Sequence, residues 1–350
     1  MPPARVVLPA DELRALAVAV LQAAGVSDPE HAKIVADAFV WANLRGIDSH
    51  GVSRLPRYVE LFERGEANPT PQIKVTRLRE AAILVDADQA PGPLALSLAM
   101  REAIDAARSA GVGWVTVRGT VHTGAIGYYT SMAADAGFAG LGIVAGVPNM
   151  AYEGAKGAGV ATSPLSIALP ASRHPELVLD MATASIALGK IAQYRARGEQ
   201  LPEGVAVTAA GDPTTDPAEA KIPLPVGGAK GSGMSLAFEL LSSGLASNPI
   251  VSQFHAGVKG HRQNATMIAV DISAFLPVED FKAIVDDTID AITGLTPAGD
   301  SPVLVPGARG AATEAQRSQD GVPVPQKLWD EITAVAERLG VATPQTAGPA

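Results

Sequence analysis

The spacing of polar and apolar positions changes character along the chain. Over residues 11–25, DELRALAVAVLQAAG places apolar residues at helical spacing and stops at Gly25. Ser27, with Glu30 three residues on, has the pattern of an N-cap for a second helix, PEHAKIVADAFVWANLRG. SRLPRYVELFERG predicts a third, because Pro56 is tolerated in a first turn, and the Pro-bearing NPTPQIKV follows as a linker. From about residue 80, short β-type runs alternate with helical ones. AAILVDAD, GWVTVRG, AGLGIVAGV, ATSPLSIALP, ELVLDMATA and NATMIAVDI predict strands. LALSLAMREAIDAARSAG, GAIGYYTSMAADAG, IALGKIAQYRARG, GSGMSLAFELLSSGLAS and PVEDFKAIVDDTIDAITGL predict helices. VPQKLWDEITAVAERLG is helical again, and VATPQTAGPA after it predicts a frayed tail.

Strand and helix alternation of this kind predicts a layered α/β fold. Helical segments at both chain ends predict a second lobe. The expected division is 1–75 with 310–345 as a helical lobe and 76–309 as the α/β domain.

Composition narrows the function more than the fold. Aromatics are only 4% of the chain, while Gly 35 and Pro 27 are abundant, so the core must rest on Ala, Val, Leu and Ile between many turns. The absence of cysteine removes disulfides, thiolate metal sites and cysteine nucleophiles. A net charge of −9 without a Lys/Arg cluster argues against nucleic acid as partner. No uncharged apolar run is long enough for a membrane span, and the N-terminus lacks a leader pattern, so the expected compartment is the cytoplasm. The six histidines show no HExxH or HxxxH spacing, and no metal is expected. The P-loop, the GxSxG elbow and a strand-to-helix GxGxxG are all missing, so a Rossmann domain is not supported.

Four strings carry candidate chemistry. RGIDSHG, residues 45–51, is followed by Arg54, Arg57 and Tyr58. His50 is the side chain suited to proton transfer near neutral pH, Ser49 can orient it, and Arg54 offers a planar fork for a carboxylate. The same string also suits a capping turn with solvated arginines. His122, in TVHTGAIGYY, follows a predicted strand, where α/β proteins place ligands, although a lone histidine there is more often structural. Asp180, in LDMATAS, is a candidate for ribose or phosphate contact, or simply an N-cap. PVGGAKGSGMS sets Lys230 and several glycines before an apolar helix, a geometry that can hold phosphate at a helix N-terminus.

In order along the chain, RGIDSHGVSRLPRY, VHTGAIGYY, LDMATASIALGK, GGAKGSGMS and VLVPG resemble the malate/L-lactate dehydrogenase family that is distinct from the Rossmann lactate and malate dehydrogenases. That family includes ureidoglycolate dehydrogenase, sulfolactate dehydrogenase, 2,3-diketo-L-gulonate reductase and Δ1-piperideine-2-carboxylate reductase. The resemblance implies a homodimer with a non-Rossmann nicotinamide-binding mixed-sheet domain, using NAD or NADP on a small carboxylate. It assigns acid/base work to His50, with Ser49 beside it, or to His122, and substrate contact to Arg54 and Tyr58. Cofactor contact falls on Asp180, Met181, Ala182, Lys230, Gly231, Pro306 and Gly307, with Arg195 or Arg197 as candidates for a 2′-phosphate. Two strings depart from the family: Ala145-Gly146 stand where Asn-Ser is frequent, and Thr162-Ser163-Pro164 where Thr-Asn-Pro is usual.

The expected reaction is hydride transfer between nicotinamide and the 2-carbon of a 2-oxo or 2-hydroxy acid. A cyclic imine such as Δ1-piperideine- or Δ1-pyrroline-2-carboxylate is the alternative substrate, and a non-catalytic binding protein the alternative class.

Overall fold

In a computed structural model, residues 5–260 and 262–344 are described. Residues 345–350 of the expected tail lie outside them. The elements in chain order are β1 (Arg5–Leu8), α1 (Ala10–Ala23), α2 (Pro29–Leu44), α3 (Leu55–Glu63), β2 (Lys74–Arg77), β3 (Ala82–Asp86), α4 (Gly92–Ala110), β4 (Val112–Thr120), α5 (Gly127–Asp135) and β5 (Phe138–Ala145). There follow β6 (Met150–Ala151), β7 (Ala158–Val160), β8 (Leu165–Leu169), β9 (Leu177–Met181), α6 (Leu188–Arg197), β10 (Ala206–Val207), β11 (Ile222–Pro223) and α7 (Ala229–Glu239). The last are α8 (Val251–His255), β12 (Gln263–Asp271), α9 (Val278–Thr293), α10 (Ala308–Asp320), β13 (Val322–Pro325) and α11 (Gln326–Arg338).

Seven strands form one mixed sheet in the order β2-β3-β4-β12-β5-β8-β9. Only β3 and β4 run parallel, joined through α4, and every other neighbouring pair is antiparallel. β12 enters the centre of the sheet from far along the chain, and α4 packs on β4 and β12. That burial on both faces explains why β12 and β5 read as near-continuous apolar runs. The chain ends meet: β1 pairs antiparallel with β13, α10 packs on α2, and α11 packs on α3. One buried cluster is continuous from Val6 and Leu13 through Phe39, Tyr58 and Met100 to Met267. No helix among the described residues is long and apolar enough to cross a membrane.

Several boundaries differ from expectation. Asp28, not Ser27, caps α2 and accepts from the Glu30 N–H at 2.9 Å. Pro29 explains the shift, because proline prefers the first helical position and so makes the residue before it the cap. β2, an edge strand on β3, begins at Lys74 inside the supposed linker. The helix expected at GSGMSLAFELLSSGLAS changes to a π-helical turn at Leu240–Gly244. There Glu239 is buried and accepts from the Ile250 and Val251 N–H groups at 2.7 and 3.0 Å. α10 was not predicted at all. ARGAATEAQRSQD buries no residue fully, so it has no apolar stripe for periodicity to detect.

Candidate active site

The string at residues 45–58 occupies the passage from α2 to α3 and folds as two 3-10 turns, Asp48–His50 and Val52–Arg54. The Asn43 side chain ties them together, accepting from the Val52 N–H at 2.8 Å and donating to Asp48 Oδ1 at 2.7 Å. Gly51 passes directly over that amide: a Cβ there would stand 2.2 Å from Asn43 Oδ1, so only glycine fits. From α10, Arg317 donates to both Asp48 oxygens at 2.6 and 3.1 Å and to the Asn43 carbonyl.

This scaffold presents the chemistry. Ser49 Oγ lies 3.0 Å from His50 Nδ1. Arg54 Nε donates to the Ser49 carbonyl at 2.6 Å, and no hydrogen bond from its two terminal nitrogens is found among the described residues. The His122 ring stacks on that of His50, with centroids 5.5 Å apart and planes inclined by 24°. The Gly124 N–H donates to His122 Nδ1 at 3.3 Å, so a neutral His122 ring carries its proton on Nε2. Tyr58 is fully buried, and its hydroxyl donates to the His122 carbonyl.

Both imidazoles are held neutral. Burial, reinforced by the Arg54 charge, lowers His50 to about 4. Burial, then Arg54 and His50, lowers His122 to about 3. Burial likewise pushes Tyr58 far above the ordinary phenol range, with Arg54 opposing it. A cleft of about 260 Å3 opens on Arg54, Tyr58 and His122, and its lining also includes Arg57, Glu66, Arg262 and Gln263 but not His50.

The expected cofactor strings lie side by side. Ser185 N–H donates to Leu224 O at 2.8 Å and Val226 N–H to Thr183 O at 2.9 Å, which joins the segment after β9 to the one before α7. Gly231 is wedged into this junction, where a Cβ would come within 2.5 Å of the Thr183 carbonyl. Asp180 accepts from the Gly127 N–H at 2.8 Å. Although it has much accessible area, the protein packed around it pushes its carboxyl up to about 6, against backbone hydrogen bonds from Gly127 and Ile126 and the Arg45 charge. Gly307 lies against β9, where a Cβ would be 2.9 Å from the Val178 nitrogen. Gly189, in the first turn of α6, lies against Ser49, 3.3 Å from its Cβ to a Cβ built on the glycine. The histidine-bearing turn thus meets α6, the helix that follows the Asp180 strand.

Other expected groups are engaged elsewhere. Arg195 Nε donates to the Pro217 carbonyl at 3.0 Å, and Arg197 pairs with Glu199 at 2.9 Å. Met181 and Ala182 are half-buried beside Asp180. Arg57, Glu66, Arg262 and Gln263 line the cleft without having been singled out as site residues, and Asn43 and Arg317 support it. For Arg262 and Gln263 the only local signal was polar residues at the start of an apolar strand, which marks most strand ends equally well.

The malate/L-lactate dehydrogenase family model matches residues 8–333. A malate dehydrogenase of Pyrococcus abyssi is 36% identical over 95% of both chains, and an L-sulfolactate dehydrogenase of Methanocaldococcus jannaschii is 36% identical over 96% of this chain and 98% of its own. A ureidoglycolate dehydrogenase (NAD(+)) of Escherichia coli is 30% identical over 88% and 89%. Among solved structures, the sulfolactate dehydrogenase of M. jannaschii superimposes with a TM-score of 0.87 at 34% identity, covering 96% of this chain and 98% of that one. The Δ1-piperideine-2-carboxylate reductase of Pseudomonas syringae gives 0.84 at 26% identity over 94% and 99%. The mixed sheet, which lacks a Rossmann turn, is thus shared with solved dehydrogenases and reductases of one non-Rossmann kind. The chain belongs to the malate/L-lactate dehydrogenase family. It is a dehydrogenase acting on CH–OH donors, which removes the non-catalytic alternative.

Proposed function

We propose that the chain interconverts a small 2-hydroxy acid and its 2-oxo acid with NAD or NADP. The observation that carries this reading is His122, stacked on His50, lining one cleft with the open fork of Arg54. Arg54, held by the Ser49 carbonyl, binds the substrate carboxylate bidentately and so fixes the 2-carbon. A neutral imidazole accepts the hydroxyl proton in the oxidative direction and returns it in the reductive one. Ser49 orients the His50 ring through Nδ1, and Gly124 and Tyr58 do the same for His122 through its ring and its carbonyl.

The residues suit a phosphate-bearing cofactor. Thr183 Oγ1 is buried without a partner, and Gly227 and Gly228 open α7 with positive φ values of 59° and 60°, beside Lys230. Asp180, Met181, Ala182, Lys230, Gly231, Pro306 and Gly307 would hold the nicotinamide cofactor, which when bound supplies or takes the hydride. The two-lobe division at residues 75 and 310 belongs to the same reading, as does a homodimer. Exposed Leu236, Leu240, Leu241 and Leu245 along α7 and the π turn give a second copy an apolar face to cover.

The test is His50→Ala. Turnover should fall by about 100-fold or more, while cofactor affinity, read by nucleotide fluorescence, changes little. Near-normal turnover removes His50 from the chemistry. One observation favours the cyclic imine as second substrate: both imidazoles are held neutral, and a protonated imine needs no acid to become electrophilic. Parallel NADH and NADPH oxidation assays with pyruvate-type acids and Δ1-piperideine-2-carboxylate decide between them.

A further inference from the structure

The lining of the cleft carries more positive charge than a single carboxylate can balance. Arg54, Arg57 and Arg262 line it against one carboxylate, Glu66. Arg57 is compensated, lying 2.5 Å from Glu60 and 3.9 Å from Glu66. Among the described residues, neither Arg54 nor Arg262 has a carboxylate within ion-pair distance, in a chain whose net charge is −9. Two uncompensated guanidinium groups therefore face one small space from distant parts of the sequence.

Arg262 is not a loose surface arginine. Its terminal nitrogens donate to Gln89 Oε1 at 2.9 Å and to the Gly260 carbonyl at 3.1 Å, both neutral acceptors that fix the group without cancelling its charge. Its Nε is buried and has no partner. Gln89, which holds it, has φ at +59°, next to Asp88 at +50°, a conformation side chains rarely adopt. That backbone is pinned by the Gln89 N–H on the Gly119 carbonyl at 2.8 Å and by the Asn68 N–H on the Gln89 carbonyl at 3.0 Å. Strain maintained in this way gathers where a group must be kept in place for a ligand. Arg262 immediately precedes β12 and so is not bound by the side-chain alternation of the strand, and it lines the cleft together with Gln263, the first residue of β12.

We propose that Arg262 is the residue that determines specificity for the far end of the substrate: its guanidinium receives a second anionic group, so the cleft selects 2-hydroxy acids with two negative charges over those with one. This rests on the reading of the cleft as a 2-hydroxy-acid site. Arg54 takes the carboxylate next to the reacting carbon, and Arg262 takes the distal carboxylate or an equivalent anion. A monoanion leaves Arg262 uncompensated, and the difference in binding is the discrimination.

The experiment compares malate with lactate on the full-length enzyme. Wild-type kcat/KM should favour malate. Arg262→Ala should lower the malate-to-lactate ratio by about 10- to 100-fold, the size of one lost hydrogen-bonded charge contact, mainly through the KM for malate. Arg262→Lys should recover part of that ratio, because it restores charge without the planar fork. Arg262→Gln, which keeps bulk and hydrogen bonding, serves if the alanine variant does not fold. A wild-type preference for lactate, a ratio unchanged on substitution, or equal losses on both acids would overturn the assignment while leaving the 2-hydroxy-acid reading intact. Failure of wild-type enzyme to turn over either acid with NAD or NADP would instead remove that reading and this assignment with it.

Discussion

Arg317 and Asp48, 269 residues apart in sequence, form a two-point ion pair at 2.6 and 3.1 Å that fastens the turn of the candidate site to α10. Asp48 immediately precedes Ser49 and His50, so the position of both candidate side chains depends on a helix near the other end of the chain. Arg317→Met should cost about 1–2 kcal/mol, since the pair is partly exposed at Asp48. It should also lower kcat by about tenfold by letting the turn move, with smaller losses in Arg317→Lys. Urea denaturation and steady-state kinetics on the same preparations check both parts.

Tyr58 acts on His122 through the backbone. The phenol is buried and donates to the His122 carbonyl. Tyr58→Phe keeps the ring stacked edge-on to Phe39, 5.2 Å away, and removes only the donor. The expected cost is about 1–2 kcal/mol from an unsatisfied buried carbonyl, with a fall in kcat as His122 loses its anchor. An unchanged denaturation midpoint would mean that water takes over the bond.

Gly51 faces a stricter limit than its φ imposes, because the obstacle is the Asn43 amide. Gly51→Ala should destabilise by about 1–3 kcal/mol and disturb the turn. Pairing it with Asn43→Ala, which removes the obstructing group, should be less damaging than the sum of the two single changes. Melting temperatures of the four proteins give the coupling directly.

The buried imidazoles also make folding pH-dependent. With pKa values lowered to about 4 and about 3 from 6.5, His50 and His122 bind protons more readily in the unfolded chain. Each therefore contributes stability that is complete above about 6.5 and is lost as pH falls toward the folded value. Asp180 works in the opposite direction, since its carboxyl, raised from 3.8 to about 6, favours the folded state most at low pH. Between about 4 and 6 the two histidines contribute a rise of stability with pH, opposed by Asp180 and by Asp135 and Glu176, which burial also raises. His122→Gln should flatten that rise by about one proton. Denaturant midpoints across this range, for wild type and variant, test the slope.

Much of the architecture was legible because it rests on local rules. α1, α4 and β12 carry unbroken apolar periodicity, and Gly111 ends α4 in the left-handed conformation that favours glycine. α10 and β1 were not legible. α10 buries no residue fully, and β1 is four residues long and gains its meaning only from β13 more than 300 residues away. The candidate site divides in the same way. His50, His122, Arg54 and Asp180 stand in dense polar strings whose residue types announce chemistry. Arg262 sits in no such string, and Arg317 lies in a helix with no apolar pattern.

The sequence by itself determined the inventory: the helices and strands that carry a strong apolar pattern, the side chains that can move a proton or bind a carboxylate, and the absence of cysteine and of a Rossmann turn. Only the tertiary structure decided how they act together. Insertion of β12 between β4 and β5 carries Arg262 to the cleft beside His122, and the meeting of the two chain ends places Arg317 on Asp48. Burial then sets the charge state of both imidazoles. Periodicity and residue type act over a few neighbours, whereas desolvation and long-range pairing exist only once distant segments have packed.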